Sequence, residues 1–192
     1  MDKIGGAPAR ELLSQQVSGA RYFFLRLAPV GKGGRLTLTL GGRELCNPDY
    51  RIQRDSYVYF GLEYVAEGRG TATLDGETHA LGPGAVFAYD PRTRCAISTD
   101  PAAPMVKYFV CLAGAGCGAR LGQAGVSPGA LRRLAAHAEM RDLFEELIHD
   151  AQRATPVSAA LARARLEVLL LKLEEQLATQ VRGGDPARER FL

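Results

Sequence analysis

The chain has 192 residues, of which 46% are hydrophobic, and this is enough for one well-buried domain with an appendage. Its 24 basic and 21 acidic residues give a net charge of +3 and form no basic block or stripe, so the electrostatic footprint of a nucleic-acid binder is absent. No stretch approaches the roughly 20 apolar residues of a membrane span, and the N-terminus lacks the apolar core of a secretory signal. We therefore expect a cytoplasmic protein whose chain, taken alone, contacts neither nucleic acid nor membrane.

The first half of the chain has the pattern of short strands. Residues 20–30 and 35–40 are predicted strands separated by GKGG, and GGRELCNPDY (41–50) carries the residues of a turn. From Ser56 onward alternating runs follow one another closely, with Asp75-Gly76 as a hairpin signal between TATL and ETHAL. Such short strands at regular intervals, continuing through AVFAY, CAIST and MVKYFVCLAG, indicate a sandwich or barrel.

At Ser127 the period becomes helical. Ser127 and Pro128 suit the start of a first helix, which we expect to run to about Ala151, and a break at ATP (154–156) precedes a second helix. One stripe of that second helix has the spacing of a coiled-coil seam, four, three and four residues. Its members are Leu166, Leu170, Leu173 and Leu177. Leu161, Val168 and Leu171 lie to one side, so the apolar face is too wide for one partner surface.

The stretches EYVAEGRGTATLDG, LGPGAVFAY and KYFV, followed by two helices, resemble the N-terminal sensor domain of AraC-type transcriptional regulators. The resemblance implies a mainly β fold with C-terminal helices, namely a cupin barrel (a double-stranded β-helix or jelly roll) followed by an α-helical dimerisation segment. It implies an arm over 1–19, an effector-binding barrel over 20–120, a helical dimerisation segment over 121–182 and a linker over 183–192. A DNA-binding domain would follow in the full-length protein.

The metal-binding cupins that this barrel resembles use an HxH pair, a glutamate and a further histidine. This chain has only His79, His137 and His149, and where the pattern PxGxxH is common it carries Pro91 to Cys95. We therefore expect no metal, no cofactor and no catalytic residues. The four cysteines are irregularly spaced without a CxxC pair, which predicts reduced thiols packed as small hydrophobes. GAGCGA (114–119) fits a dinucleotide fingerprint, but no returning parallel strand follows, so we interpret it as the exit from the barrel.

Strand alternation in residues 56–66 separates a mixed polar and aromatic face from an apolar one. If 56–66 is one strand, Tyr57, Tyr59 and Glu63 share a face, while the opposite face is wholly apolar or aromatic. Phenol rings beside a carboxylate suit a small polyhydroxylated ligand. The candidate ligand-binding residues are Tyr57, Tyr59, Glu63, Tyr89, Arg92 and Cys95. In the alternative, Glu63 faces solvent or pairs with Arg69 or Arg92.

The polar loop before that strand could cover the mouth of the barrel; it contains Asn47, Asp49, Tyr50 and Arg51. Taken together, these patterns predict an effector-sensing domain that binds a sugar or sugar derivative and forms a homodimer through Leu166, Leu170, Leu173 and Leu177. The alternatives are a small cupin-fold enzyme, such as an isomerase or dioxygenase, and a stand-alone ligand-binding cupin.

Overall fold

The computed structural model describes residues 13, 16–25, 36–153 and 155–183. The expected arm (1–19) and linker (183–192) lie mostly outside these residues. The strands are β1 (Val17–Phe24), β2 (Thr37–Cys46), β3 (Arg51–Arg54), β4 (Phe60–Glu67), β5 (Gly70–Leu74), β6 (Glu77–Leu81), β7 (Ala85–Tyr89), β8 (Cys95–Thr99), β9 (Val106–Ala113) and β10 (Leu131–Arg133). The helices are α1 (Cys117–Gln123), α2 (His137–Gln152) and α3 (Pro156–Gly183).

Two antiparallel sheets build the barrel that the sequence predicts. A six-stranded sheet has the order β1-β2-β9-β4-β7-β10, and a four-stranded sheet has the order β3-β8-β5-β6. The six-stranded sheet contributes one face to a core shared with the helices and the other face to a core shared with the four-stranded sheet. The prediction of a mainly β barrel with C-terminal helices is confirmed.

Side chains of β4 alternate between these two cores. Leu62 and Tyr64 are buried on the helical side, whereas Glu63 and Val65 point into the barrel. This is the division that period-two alternation predicts. The hairpin prediction also holds, because Asp75 and Gly76 both have positive φ, 49° and 93°, as a two-residue type I′ turn requires.

The segment 41–50 was predicted as a turn, and this prediction is wrong for its first half. β2 runs through Gly41 and Gly42 to Cys46. Glycine is needed there for packing, since a Cβ at Gly41 would lie 2.5 Å from the carbonyl oxygen of Phe109. The turn follows only at Asn47, and Glu44 consequently enters a central strand.

The predicted helix start at Ser127 is also wrong. Gly129 has a positive φ of 84°, and Leu131–Arg133 form β10 beside β7, so α2 begins only at His137. A short helix, α1, forms instead where an irregular exit was expected. The sheet therefore extends beyond the boundary that we placed at residue 120.

The helix α3 buries the stripe that was predicted to form the dimer interface. Leu166, Leu170 and Leu173 are at most 1% exposed and Leu177 is 7% exposed, because they pack on their own barrel and on α2. The assignment of these four leucines to the interface is therefore corrected. Among the side chains that the structure describes, the large apolar ones that α3 exposes are Val157, Leu161, Val168 and Leu171. None of the helices in the described part of the chain is both long and apolar enough to cross a membrane.

Candidate functional site

A buried ion cluster lies at the centre of the barrel. The ammonium of Lys107 on β9 is 2.9 Å from Oε2 of Glu44 on β2 and 2.7 Å from Oε2 of Glu63 on β4. All three side chains are at most 3% exposed. The strand register explains the convergence, because Lys107 is the direct cross-strand partner of Glu44 and lies diagonally from Glu63 across β4 and β9.

Three phenols complete the hydrogen bonding of the two carboxyl groups. Tyr22 donates to Oε1 of Glu44 (2.8 Å), and Tyr50 donates to its Oε2 (3.1 Å). Tyr89 donates to Oε1 of Glu63 (3.0 Å). Every carboxyl oxygen of the cluster thus accepts a hydrogen bond, which offsets the desolvation of these buried groups.

Burial and the ion pairs shift the titration of the cluster in opposite directions. Burial alone would raise the pKa of Glu44, but Lys107 and the hydrogen bonds from Lys107, Tyr22 and Tyr50 lower it below its ordinary value. Burial would lower the pKa of Lys107, but Glu44 and Glu63 raise it well above its ordinary value. The pKa of Tyr89 is raised, first by burial and then by Glu63. Both Lys107 and Glu44 are therefore held in their charged forms at neutral pH.

A cavity adjoins this cluster and is almost filled by side chains. It is lined by Glu44, Ile52, Arg54, Tyr57, Glu63, Tyr89, Lys107, Phe109 and Cys111. The centre of a water molecule can occupy only about 10 Å³ of it, which is room for about one water molecule. The cavity is polar at the cluster and aromatic at Tyr57, Tyr89 and Phe109.

Tyr57 lines the cavity and contacts three of the other lining residues. Its ring is stacked by the guanidinium of Arg54, 4.3 Å from the ring centroid, and packs edge-on against Tyr89 at 6.2 Å. Its hydroxyl lies 3.6 Å from Sγ of Cys111. Burial raises the pKa of the Cys111 thiol to about 12, so this thiol is protonated and unreactive where it lies.

The structure brings three of the six predicted ligand-binding residues to the cavity, namely Tyr57, Glu63 and Tyr89. Tyr59 packs beside Tyr57, with ring centroids 5.9 Å apart, but does not line the cavity. Cys95 is buried in the barrel core without reaching the cavity wall.

The prediction that Arg92 is a ligand-binding residue inside the barrel is corrected. Its side chain is 91% exposed and pairs with Asp90 in the turn after β7, 3.3 Å away, so it points away from the barrel. Arg69, the other arginine considered as a partner of Glu63, pairs with Asp100 instead. Glu63 faces the interior, and its partner is Lys107.

Sequence reasoning missed Glu44, Lys107 and Arg54. Glu44 was hidden because its segment was assigned to a turn. Lys107 begins the run KYFVC, in which it is the one charged residue beside four apolar ones. Alternation then places Lys107 on the same face as Phe109 and Cys111, which is the face that points into the barrel. Tyr50 was placed in a loop that could cover the mouth, but it is 1% exposed and belongs to the cluster.

Histidine and cysteine take no part in this site apart from Cys111. His79 lies on the edge strand β6, where its Nε2 is 3.7 Å from Glu77, as expected for a hairpin residue. All four cysteines are buried and free, as predicted. In the part of the chain that the structure describes, no group of three or more histidine, cysteine, aspartate or glutamate side chains has a metal-binding arrangement.

A scan against family models matches residues 39–170 to the AraC-like ligand binding domain. No curated protein matches the sequence. Solved structures with similar folds include the plu4264 protein from Photorhabdus luminescens, with 13% identity, a TM-score of 0.39 and coverage of 51% of this chain and 76% of that chain.

Two further structures share about half of this chain. The ectoine synthase from P. lautus has 18% identity and a TM-score of 0.39, with coverage of 52% of this chain and 66% of that chain. The Cupin_2 domain of an XRE family transcriptional regulator from Enterobacter cloacae has 13% identity and a TM-score of 0.35, with coverage of 47% and 95%. At this level of similarity, neither ligand nor activity carries over to this chain.

Proposed function

Because the chain belongs to the family of AraC-like ligand binding domains, we propose that it is the effector-sensing and dimerisation domain of a cytoplasmic transcriptional regulator, and that it binds a small polar molecule inside its barrel. It acts by binding and not by catalysis. The observation that carries the proposal is the buried cluster of Lys107, Glu44 and Glu63 in the wall of a cavity.

Burying an ion cluster inside a barrel carries a large desolvation penalty. Replacing such a cluster by apolar side chains is often neutral or stabilising, so its presence is poorly explained by stability alone. The same groups offer donors and acceptors to a ligand, and Tyr57, Tyr89 and Phe109 offer aromatic faces beside them. This combination suits a hydroxyl-rich ring such as a sugar, a sugar acid or a lactone.

A ligand that binds Glu63 must compete with groups that already contact this carboxyl group. Glu63 accepts hydrogen bonds from Lys107 and Tyr89, so a ligand hydroxyl must share or replace one of these bonds. Charge-assisted bonds contribute about 1.5 to 3 kcal/mol each, or roughly 10- to 100-fold in affinity.

A thermal-shift panel tests the proposal. Monosaccharides, sugar acids and lactones are compared with fatty acids and flat apolar aromatics, using the wild type, Glu63→Gln and the control Glu77→Gln, which alters an exposed glutamate of β6. We expect members of the hydroxylated set to raise the melting temperature of the wild type and of the control, and Glu63→Gln to lose that rise. Stabilisation by apolar compounds alone would refute a sugar-like effector.

The second part of the proposal is a homodimer formed through the outer face of α3. The exposed residues Val157, Leu161, Ala164, Val168 and Leu171 follow one another at spacings of four, three, four and three residues. This is the spacing of a coiled-coil seam, and it lies on the opposite face to the buried leucines. An exposed apolar stripe of this regularity favours a second copy of the same helix as its partner.

Contact with DNA is proposed for the full-length regulator and not for this chain. With a net charge of +3 and no basic stripe, residues 1–192 offer no cluster of phosphate contacts. A gel shift with promoter DNA at physiological salt tests this directly, and specific retardation by this chain alone would contradict it.

A further inference from the structure

The cavity is too small for any effector in the conformation seen here. There is room for about one water molecule, and the walls are close-packed side chains. A molecule larger than water therefore enters only if one of the lining side chains leaves.

The lining residues differ in how firmly their backbone is held. Eight of the nine lie in strands: Glu44 in β2, Ile52 and Arg54 in β3, Glu63 in β4, Tyr89 in β7, and Lys107, Phe109 and Cys111 in β9. Moving any of them disturbs a sheet ladder. Among these lining residues, all of which the structure describes, Tyr57 alone lies outside a strand.

Tyr57 sits in the link between β3 and β4, which passes from one sheet to the other. The two residues adjacent to Tyr57 are exposed, and Val58 is 58% exposed. The backbone N–H of Tyr57 donates a hydrogen bond to the carbonyl oxygen of Pro91 (3.1 Å), but the link takes no part in a strand ladder, so its local opening requires less free energy than the opening of a sheet. The Tyr57 side chain nevertheless points inward and is only 9% exposed.

We propose that Tyr57 is a plug that occupies the place of the effector ring and swings out to admit it. The identification of the displaced ring with an effector rests on the proposed binding function, while the opening motion does not. The space that Tyr57 leaves lies between the guanidinium of Arg54 and the ring of Tyr89, with Cys111 at its inner end. The effector is accordingly a molecule with one ring of about the size of a phenol and a polar substituent on its far side.

The thiol of Cys111 reports on the plug. It lies behind the Tyr57 hydroxyl and is 1% exposed, while Cys117 is 0% exposed in the core beneath the helices. The two cysteines have similar exposed fractions, but only Cys111 contacts Tyr57. A buried thiol reacts with a small reagent only when the structure opens around it.

The experiment labels the folded wild type with methyl methanethiosulfonate and measures each thiol by peptide mass spectrometry. We expect Cys111 to react at least about tenfold faster than Cys117, because the opening of the plug requires less free energy than the opening of the helical core. Tyr57→Ala should accelerate labelling of Cys111 about tenfold further while leaving Cys117 unchanged. If the alanine variant does not fold, Tyr57→Phe replaces it in the experiment. Because this variant keeps the ring, it should accelerate labelling of Cys111 by less than the roughly tenfold expected for Tyr57→Ala.

Equal labelling rates for Cys111 and Cys117 in the wild type would overturn the plug. The labelling needs no effector, so its outcome is separate from the ligand panel. Rapid labelling of Cys111 with no binder in the panel would support the plug and refute the proposed effector class. A panel compound that binds while Cys111 remains as slow as Cys117 would support the binding function and refute the plug.

Discussion

Lys107 on β9 and Glu44 on β2 are direct cross-strand partners, and their charged groups lie 2.9 Å apart in the interior of the barrel. Glu63 adds a second carboxyl group on the other side of the ammonium, 2.7 Å away. One cation thus holds two acidic side chains from two different strands. The arrangement links the three central strands β2, β9 and β4 of the six-stranded sheet through polar contacts that a buried environment makes strong.

Removing the charge of Lys107 should lower the free energy of unfolding, because its two carboxylate partners stay buried. Lys107→Met leaves Glu44 and Glu63 buried beside each other without a cation, and we expect a loss of about 3 to 5 kcal/mol in the free energy of unfolding. Chemical denaturation at pH 7 measures it. Lys172→Met, which removes a partly exposed lysine of α3, is the control and should change the stability little. A Lys107 variant as stable as this control would show that the cluster is not compensated as described.

Acid should weaken the protein through Glu44. Its pKa is lowered from the ordinary value of 4.5 by Lys107 and by hydrogen bonds, against the opposing effect of burial. The stability that this shift contributes is therefore fully present above pH 4.5 and is lost as the pH falls through the lower pKa of the folded protein.

Denaturation curves between about pH 6 and pH 3 should show this loss in the wild type. The slope should be smaller in Glu44→Gln, which has no proton to take up at this position. The control Glu77→Gln, whose side chain is 78% exposed, should keep the slope of the wild type. If stability falls equally steeply with pH in Glu44→Gln and in the wild type, the acid sensitivity does not come from Glu44.

Gly61 should be intolerant of any side chain because of Tyr89. A Cβ at Gly61 would lie 2.2 Å from the Tyr89 ring, which crosses the strand at this point to reach Glu63. Gly61→Ala should cost about 1 to 3 kcal/mol of unfolding free energy by overpacking. The cost should shrink in a Tyr89→Leu background. Gly19→Ala in β1, where the nearest atom would be 3.7 Å away, is the control, and equal costs at the two glycines would refute the explanation.

The two faces of α3 should respond differently to charge. Leu161→Glu with Leu171→Glu places two charges in the exposed stripe and should give a folded monomer, because neither residue belongs to the core. Leu170→Glu with Leu173→Glu should instead prevent folding, since both leucines are 0% exposed within one chain. Light scattering and circular dichroism distinguish the two results. A wild type that is monomeric at high concentration would refute the dimer.

Local pattern predicted a large part of the fold. The Asp75-Gly76 hairpin and the alternation of side chains around Glu63 hold, because each depends on residues that are neighbours in sequence. The strand predicted over 56–66 begins only at Phe60, so Tyr57 and Tyr59 precede it. The errors arose where distant packing decides the conformation. Gly41 and Gly42 have the composition of a turn, yet they are strand residues because Phe109 and Arg21 approach them too closely for a side chain.

In the candidate site, too, local pattern predicted some features and distant packing decided the others. Alternation along one strand grouped Glu63 with Tyr57 and Tyr59 but left open whether that face points inward or to solvent, and the fold decides that Glu63 lines the cavity. Which cation meets Glu63, and whether Leu170 or Leu171 faces its own barrel, depend on register between strands and on the rotation of a helix against a sheet. Both are set by contacts between residues far apart in the chain, so Lys107, Glu44 and the exposed stripe of α3 became visible only when the chain was folded.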